Sequence, residues 1–156
     1  MEKKKRIALV AHDNRKKDLI EWVDWNREIL CMHELVCTGT TGKLVENILN
    51  NEQTDKRDEI ITIKKLKSGP LGGDQQLGAM ISESQIDILI FFWDPMEQQP
   101  HDVDVKALLR IAVLYNITTA SNRATADFII SSRLFNEAYE PMIKDYSKCI
   151  MRNTEK

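Results

Sequence analysis

Short apolar runs alternate along the chain with segments in which apolar residues recur every three or four positions. Continuous apolar runs of this length are typical of strands that are buried on both faces of a parallel sheet. Five runs predict strands, and they span Arg6–His12, His33–Thr38, Ile60–Lys65, Ile86–Trp93 and Ile117–Ser121. Their alternation with helical segments predicts a chain that is built from βαβ units.

Helical spacing marks the segments between these strands. Helices are expected at Leu19–Leu30, Gly42–Asn50, Leu77–Ile81, Val105–Val113 and Thr125–Ile130. The polar segment Asn51–Glu59 is expected to be an exposed helix extension or loop, and the tail after Phe135 is expected to be partly helical. The pattern as a whole predicts a single-domain, doubly wound α/β fold with three Rossmann-like layers and a mainly parallel five-stranded sheet.

Length and charge fit this expectation of one domain. A chain of 156 residues can bury a core of its own, so residues 1–156 are expected to form one domain with peripheral tails at 1–5 and about 148–156. Lys3–Arg6 are expected to be a solvated lead-in to the first strand. The formal net charge of −2 provides no bulk field that would recruit nucleic acid or an anionic membrane.

The N-terminal segment and the cysteines bear on the cellular compartment. The apolar run that follows Arg6 is too short for the core of a signal peptide or for a membrane span. Cys31, Cys37 and Cys149 are odd in number and lack a C-x-x-C spacing, which favours reduced thiols over disulfides or metal ligands. A cytoplasmic protein is therefore expected.

The segment TGTTGK, Thr38 to Lys43, follows the second strand and leads into a helix. Backbone N–H groups at a helix N-terminus favour an anion, and threonine hydroxyls add donors, so the segment is a candidate phosphate site. It is not a Walker A loop, because Cys37 and Leu44 stand where that motif needs Gly and Ser or Thr. The alternative is a plain left-handed turn with a threonine cap. Lys16 could add a positive charge, although a solvated helix lysine is the ordinary interpretation.

The segment SGPLGGDQQ follows the third strand and places a carboxylate where a helix begins. Ser68 and the N–H of Gly69 are further candidate donors, and glycines allow the backbone to approach a ligand closely. Asp74 is either a simple N-cap or first-turn carboxylate, or a base that removes a proton from a bound substrate.

The segment PHDVD follows the fourth strand and places His101 just before a helix. A helix start disfavours imidazolium, so His101 could be neutral and donate to a carbonyl oxygen; the alternative is a surface histidine with Asp102 as N-cap. His12, Asp13, His101 and Asp104 also raise the idea of a metal cluster. We expect no metal, because no H-E-x-x-H pair is present and the carboxylates could instead pair with nearby cations.

Several segments taken together resemble the methylglyoxal synthase family over nearly the whole chain. They are IALVAHDNRK, TGTTGKL, SGPLGGDQQLGAMISE, IDILIFFWDPMEQQPHDVDVKALLR and ATADFII. The resemblance implies a lyase that eliminates phosphate from dihydroxyacetone phosphate, yielding methylglyoxal in a bypass of glycolysis, with no metal or organic cofactor. It also implies a fold similar to the regulatory domain of carbamoyl phosphate synthetase, and an allosteric homohexamer that phosphate inhibits.

The resemblance also implies roles for individual residues. Asp74 would be the catalytic base, His101 would polarise the carbonyl and move protons between the oxygens, and Asp104 would lie close to the chemistry. The residues that the resemblance assigns to phosphate binding are Lys16, Thr38, Gly39, Thr40, Thr41, Gly42, Ser68 and Gly69. His12 and Asp13 would line the same pocket.

Three segments depart from the family pattern. Val103 stands where the family often has proline, so the entry to the helix after His101 is expected to be less rigid. Asn51–Glu59 looks like an insertion relative to the shorter loops of the family, and it is expected to affect subunit contacts rather than activity. The C-terminal tail matches poorly, so an intersubunit role for Arg152 is left open.

Two other functions remain open at this point. A sugar-phosphate isomerase would form the same enediolate but release glyceraldehyde phosphate instead of inorganic phosphate. A non-catalytic phosphate-ligand sensor would bind its ligand without consuming it, and it would not need a base such as Asp74.

Overall fold

The computed structural model describes residues 1–50, 61–97 and 102–146. The five strands are β1 (Arg6–Ala11), β2 (Glu34–Thr38), β3 (Lys64–Leu66), β4 (Ile88–Phe92) and β5 (Thr118–Ala120). The six α-helices are α1 (Lys16–Trp25), α2 (Arg27–Leu30), α3 (Gly39–Leu49), α4 (Gly73–Ser82), α5 (Asp102–Leu114) and α6 (Arg123–Ile130). Short 3₁₀ turns occur at Asp13–Arg15, Gly69–Leu71 and Arg133–Phe135.

The strands form one sheet in the order β3-β2-β1-β4-β5. Each of its four strand pairs is parallel, and β1 lies at the centre, where Leu9 is level with Cys37 on one side and with Ile90 on the other. The predicted five-stranded parallel sheet is therefore confirmed. All carboxyl ends of the strands meet at one edge, which is where a ligand site is expected in such a sheet.

Helices cover both faces of the sheet, as the doubly wound prediction requires. Residues of β1 alternate between two apolar clusters: Ile7 and Leu9 belong to the cluster beneath α1, α3 and α6, whereas Ala8 and Val10 belong to the cluster beneath α4 and α5. Because successive side chains of a strand point to opposite faces, a continuous apolar run is the pattern that such a sheet needs.

The third strand is shorter and later than the run Ile60–Lys65 predicts. It spans Lys64–Leu66 and pairs only with β2, so it is an edge strand. Ile63 is buried just before it, and the backbone of Ile61 exchanges two hydrogen bonds with the side chain of Asn50. The apolar run therefore serves partly to anchor the entry to the sheet.

At the chain ends, the expectation of a solvated Lys3–Arg6 is wrong for Lys5, and the partial helix expected after Phe135 is not found in residues 136–146, which are the described part of the tail. Lys5 is 1% exposed instead of solvated, because its Nζ donates to the backbone carbonyls of Glu2 and Glu137. The described tail from residue 136 to residue 146 is irregular instead of helical. There the N–H of Tyr139 donates to the Met1 carbonyl, and Pro141 has no N–H to offer to a helix.

Two further expectations concern residues that the structure does not describe. Asn51–Glu59 and Arg152 lie outside the described residues. In the described ranges, no helix combines the length and the apolar character that crossing a membrane would require.

Candidate active site

A cleft opens at the carboxyl ends of β1, β2 and β3, against the start of α4. Its lining is contributed by Val10, Ala11, His12, Asp13, Lys16, Thr38, Gly39, Thr40, Thr41, Ser68, Gly69, Pro70, Asp74 and Phe91. Its volume of about 90 Å³ is well below the roughly 300–1,000 Å³ that is typical of drug-sized ligands. The cleft therefore suits a small ligand rather than a drug-sized one.

The turn between β2 and α3 forms one wall of this cleft. Thr38 ends β2, and α3 begins at once with Gly39, whose φ of +41° lies in the left-handed region. A Cβ on Gly39 would lie 2.8 Å from the Cα of Ser68, so glycine is what lets the two loops touch. The N–H of Gly39 donates to the carbonyl of Lys67 at 3.1 Å. The N–H groups that follow in the first turn lack intrahelical partners, as at any helix start, and they occur beside the hydroxyls of Thr40 and Thr41.

The loop between β3 and α4 forms the opposite wall. Gly72 has a φ of +95°, and a Cβ on Gly73 would lie 2.1 Å from the carbonyl oxygen of Lys67. The N–H of Gly73 also donates to the carbonyl of Ser68 at 2.9 Å, which closes the loop. Both glycines are therefore needed to bring the start of α4 against the phosphate-binding candidates Ser68 and Gly69.

Asp74 lies at the junction of the two walls. It is in the first turn of α4, it lines the cleft, and it is only 3% exposed. The N-cap of α4 is Gly72, so Asp74 is not the N-cap but is a first-turn carboxylate, and its role as a base stays a prediction. A carboxylate that is buried this deeply and borders a small cleft is placed to meet a bound substrate.

Lys16 and Asp13 form an ion pair at the edge of the cleft. The Nζ of Lys16 lies 2.5 Å from Oδ1 of Asp13 and donates to Oγ1 of Thr40, also at 2.5 Å. The hydrogen bond and the charge of Lys16 hold the pKa of the Asp13 carboxyl below its usual value. Lys16 is therefore fixed against the threonine turn and is not simply a solvated helix lysine.

His12 lies on the floor of the cleft in a fixed tautomer. Its Nδ1 accepts the backbone N–H of Asp94 at 3.2 Å, and its ring packs edge-on against Phe91 with 5.2 Å between the centroids. Because Nδ1 accepts, neutral His12 carries its proton on Nε2.

Asp94 is a residue that reasoning from the sequence missed. It is buried next to His12, and its carboxylate accepts from the N–H of Met96 at 3.0 Å and from Asn14 Nδ2 at 3.2 Å. These two hydrogen bonds, the Met96 one first, lower the pKa of Asp94, so the carboxylate is ionised at neutral pH. The sequence does contain a signal for Asp94, because this residue follows the most apolar strand. It therefore lies at the same edge of the sheet as His12.

The other predicted site residues are placed differently. Gly42 does not line the cleft; a Cβ there would lie 2.9 Å from Cγ of Lys65, so this glycine packs α3 against the sheet edge. Asp104 lines a separate groove of about 270 Å³ between α4 and α5, and Asp74 borders that groove as well. His101 lies outside the described residues, so its role stays a prediction.

Cysteine and metal chemistry receive little support from the described residues. Cys31 is half-buried and Cys37 is buried, and burial raises the pKa of the Cys37 thiol to about 12, so it stays protonated. Within residues 1–50, 61–97 and 102–146, no group of three or more His, Cys, Asp or Glu side chains is placed to hold a metal ion.

Comparison with known proteins adds independent information. The MGS-like domain family matches residues 18–121. A methylglyoxal synthase of Maridesulfovibrio salexigens is 60% identical over 97% of this chain and 99% of its own length. One of Leptospira interrogans is 53% identical over 96% of this chain and 94% of its own.

A solved structure agrees with these sequence matches. The crystal structure of methylglyoxal synthase from Elizabethkingia anophelis superposes with a TM-score of 0.85 at 50% identity, covering 98% of this chain and 94% of that one. The resemblance that the sequence motifs indicate is thus confirmed, and the chain belongs to the methylglyoxal synthase family.

Proposed function

We propose that the protein is a methylglyoxal synthase that converts dihydroxyacetone phosphate into methylglyoxal and inorganic phosphate without a metal or an organic cofactor. The single observation that carries the proposal is the position of Asp74. This buried carboxylate borders the same small cleft as Lys16 and the threonine turn, so a base and an anion site lie within the reach of a three-carbon ligand.

The phosphate group of the substrate would bind between the two walls of the cleft. The first-turn amides of α3 after Gly39, the hydroxyl of Thr40 and the Lys16 ammonium offer donors on one side. Ser68 and Gly69 offer donors on the other. The close approach of the two loops at Gly39 sets the width of this site.

Asp74 would then remove a proton from the hydroxymethyl carbon of the substrate. The electron pair of that C–H bond forms the enediolate, whose charge resides on the former carbonyl oxygen. A substrate bound in the cleft would displace water from the buried carboxylate, which favours proton transfer to it. His101 is proposed to polarise the carbonyl, and one well-placed donor to such an oxyanion contributes about 3–4 kcal/mol in comparable sites.

Elimination completes the reaction. A proton first moves from the hydroxyl of the former hydroxymethyl carbon to the former carbonyl oxygen, a transfer that we assign to His101. The oxygen left negative then forms a C=O bond, the C=C electrons shift toward the phosphate-bearing carbon, and the C–O bond to phosphate breaks. The enol that remains tautomerises to methylglyoxal. The bond can break only when it stands out of the enediolate plane, where it overlaps with the π system. An isomerase holds that bond in the plane, so the grip of the two loops on the phosphate would decide between the two outcomes.

Incubation with dihydroxyacetone phosphate in the presence of EDTA tests the proposal. We expect methylglyoxal and inorganic phosphate in equal amounts, at a rate that EDTA does not change. Formation of glyceraldehyde phosphate would identify an isomerase instead, and binding without consumption would identify a sensor.

We also propose that the protein acts as a homohexamer in the cytoplasm and that phosphate inhibits it allosterically. Exposed large apolar side chains support self-association, with Trp25, Val113 and Phe128 each about four-fifths exposed or more in the isolated chain. Light scattering coupled to gel filtration would measure the mass of the assembly, and sigmoidal inhibition by phosphate would reveal coupling between sites.

A further inference from the structure

The charge balance of the cleft raises a question about how it accepts an anion. Among the described residues that line it, Lys16 is the only lysine or arginine, whereas Asp13 and Asp74 are both carboxylates. An entering phosphate group therefore meets two carboxyl groups and one lysine. The cation that it needs is already bound to Asp13.

A second anion that binds Lys16 has to lie beside Asp13. An ammonium group has three donors, and the 2.5 Å contacts to Asp13 and Thr40 engage two of them. A phosphate that shared Lys16 with Asp13 would lie next to a like charge, which is unfavourable at such a distance.

Asp13 is nevertheless free to leave the pair. Its side chain is 82% exposed, so the carboxylate keeps most of its hydration and would lose little by turning into solvent. Lys16 is only 23% exposed and keeps its bond to Thr40 on the threonine turn. The pair thus has one fixed cation and one exchangeable anion.

Building on the proposed function, we propose that Asp13 competes with phosphate for Lys16. In the empty cleft it holds the ammonium against Thr40 in the position that the phosphate requires. When the phosphate group enters, Asp13 exchanges for it and turns into solvent. When inorganic phosphate is the bound product, Asp13 recaptures Lys16 and promotes release, so it weakens product binding.

The test compares Asp13→Asn with Asp18→Asn by calorimetric titration with inorganic phosphate alone. Asp18 is a matched control, because it is also an exposed carboxylate in an i, i+3 ion pair, with Arg15 at 3.4 Å, and it does not line the cleft. We expect Asp13→Asn to lower the Kd for phosphate by about threefold to tenfold, and Asp18→Asn to change it by less than about twofold. Equal or weaker binding by Asp13→Asn, or no phosphate binding by the wild type, would overturn the proposal.

A second experiment, in the Lys16→Met variant, distinguishes competition for Lys16 from simple charge repulsion between Asp13 and phosphate. In Lys16→Met there is no cation to compete for, so adding Asp13→Asn should change phosphate affinity by less than about twofold. If the double variant gains as much affinity as the single one does, Asp13 acts by repulsion and the competition is contradicted. Turnover of dihydroxyacetone phosphate is measured in the same samples, so failure of the proposed reaction is seen separately from failure of the phosphate titration.

Discussion

The two ends of the sheet both bury charged side chains, but they use them differently. At the amino end, Arg6 and Asp87 satisfy one another: the Arg6 side chain donates to both carboxylate oxygens at 3.0 and 2.9 Å, and its backbone N–H donates at 2.8 Å. At the carboxyl end, Asp74 is buried just as deeply but borders an open cleft. Burial alone therefore does not identify a functional carboxylate; burial beside space for a ligand does.

Lys5 and His33 extend the pattern at the amino end. The N–H of Lys5 donates to Nδ1 of His33 at 3.1 Å, and burial, followed by the charge of Lys5, lowers the pKa of His33, so this histidine stays neutral near pH 7. Its ring packs edge-on against Phe135. These groups join the N-terminal segment to the C-terminal segment, which is a role in stability.

After Asp74, Gly73 is the residue whose substitution is expected to disturb the carboxyl end of the sheet most. In Gly73→Ala the new Cβ would meet the Lys67 carbonyl at 2.1 Å, and backbone on both sides would have to shift. We expect a loss of about 3 kcal/mol in the free energy of unfolding and a loss of most activity. Denaturant unfolding and steady-state kinetics measure the two effects.

Gly78→Ala is the matched control for that variant. It lies in the same helix, but its Cβ would lie 3.5 Å from Cδ1 of Ile111, an ordinary contact. Replacing glycine by alanine within a helix should raise stability by up to about 1 kcal/mol. If both alanine variants are equally stable, the tight loop before α4 does not depend on Gly73.

Asp87→Asn tests the amino end of the sheet. The variant keeps the size of the side chain but loses charge-assisted hydrogen bonds to Arg6, so we expect a loss of about 2 kcal/mol in stability. Activity at 25 °C should change little, because Asp87 lies at the opposite end of the sheet from the cleft. A large fall in turnover without unfolding would contradict the division between the two ends.

The pH dependence of the same pair gives a smaller effect. Burial of Asp87 opposes its ionisation, but the hydrogen bonds and charge of Arg6 prevail and lower its pKa below the ordinary value of 3.8. The stability from this pair is therefore present above about pH 4 and is lost as the pH falls through the lowered pKa. The difference in unfolding free energy between wild type and Asp87→Asn should shrink between pH 5 and pH 2, and a constant difference would argue against the pair.

Periodicity in the sequence predicts elements better than it predicts contacts between distant residues. The apolar run around Leu9 predicts β1 because burial on both faces needs no knowledge of the neighbours. The burial of Lys5 depends on the carbonyl of Glu137, and the position of Asp94 depends on the hydrogen bond from its backbone N–H to the imidazole of His12. These contacts join residues 132 and 82 positions apart, so no local pattern encodes them.

The candidate site also contains residues that the sequence predicts and residues that it does not. Residues on the glycine-containing loops, such as Gly39 and Ser68, can be predicted because close backbone contact demands a visible residue type. Gly42 differs, because the requirement that the structure shows there is close packing against Lys65 and Cys37, and its predicted contact with phosphate stays a prediction.

Phosphate release from dihydroxyacetone phosphate by Asp74→Asn tests the central claim most directly. The variant should first be shown to bind inorganic phosphate with nearly the wild-type Kd, so that an intact cleft is established. We predict that its turnover is then lower by more than about 1,000-fold, because asparagine cannot accept the proton. Retention of more than about a tenth of the wild-type rate, a difference of under about 1.4 kcal/mol, would show that Asp74 is not the base.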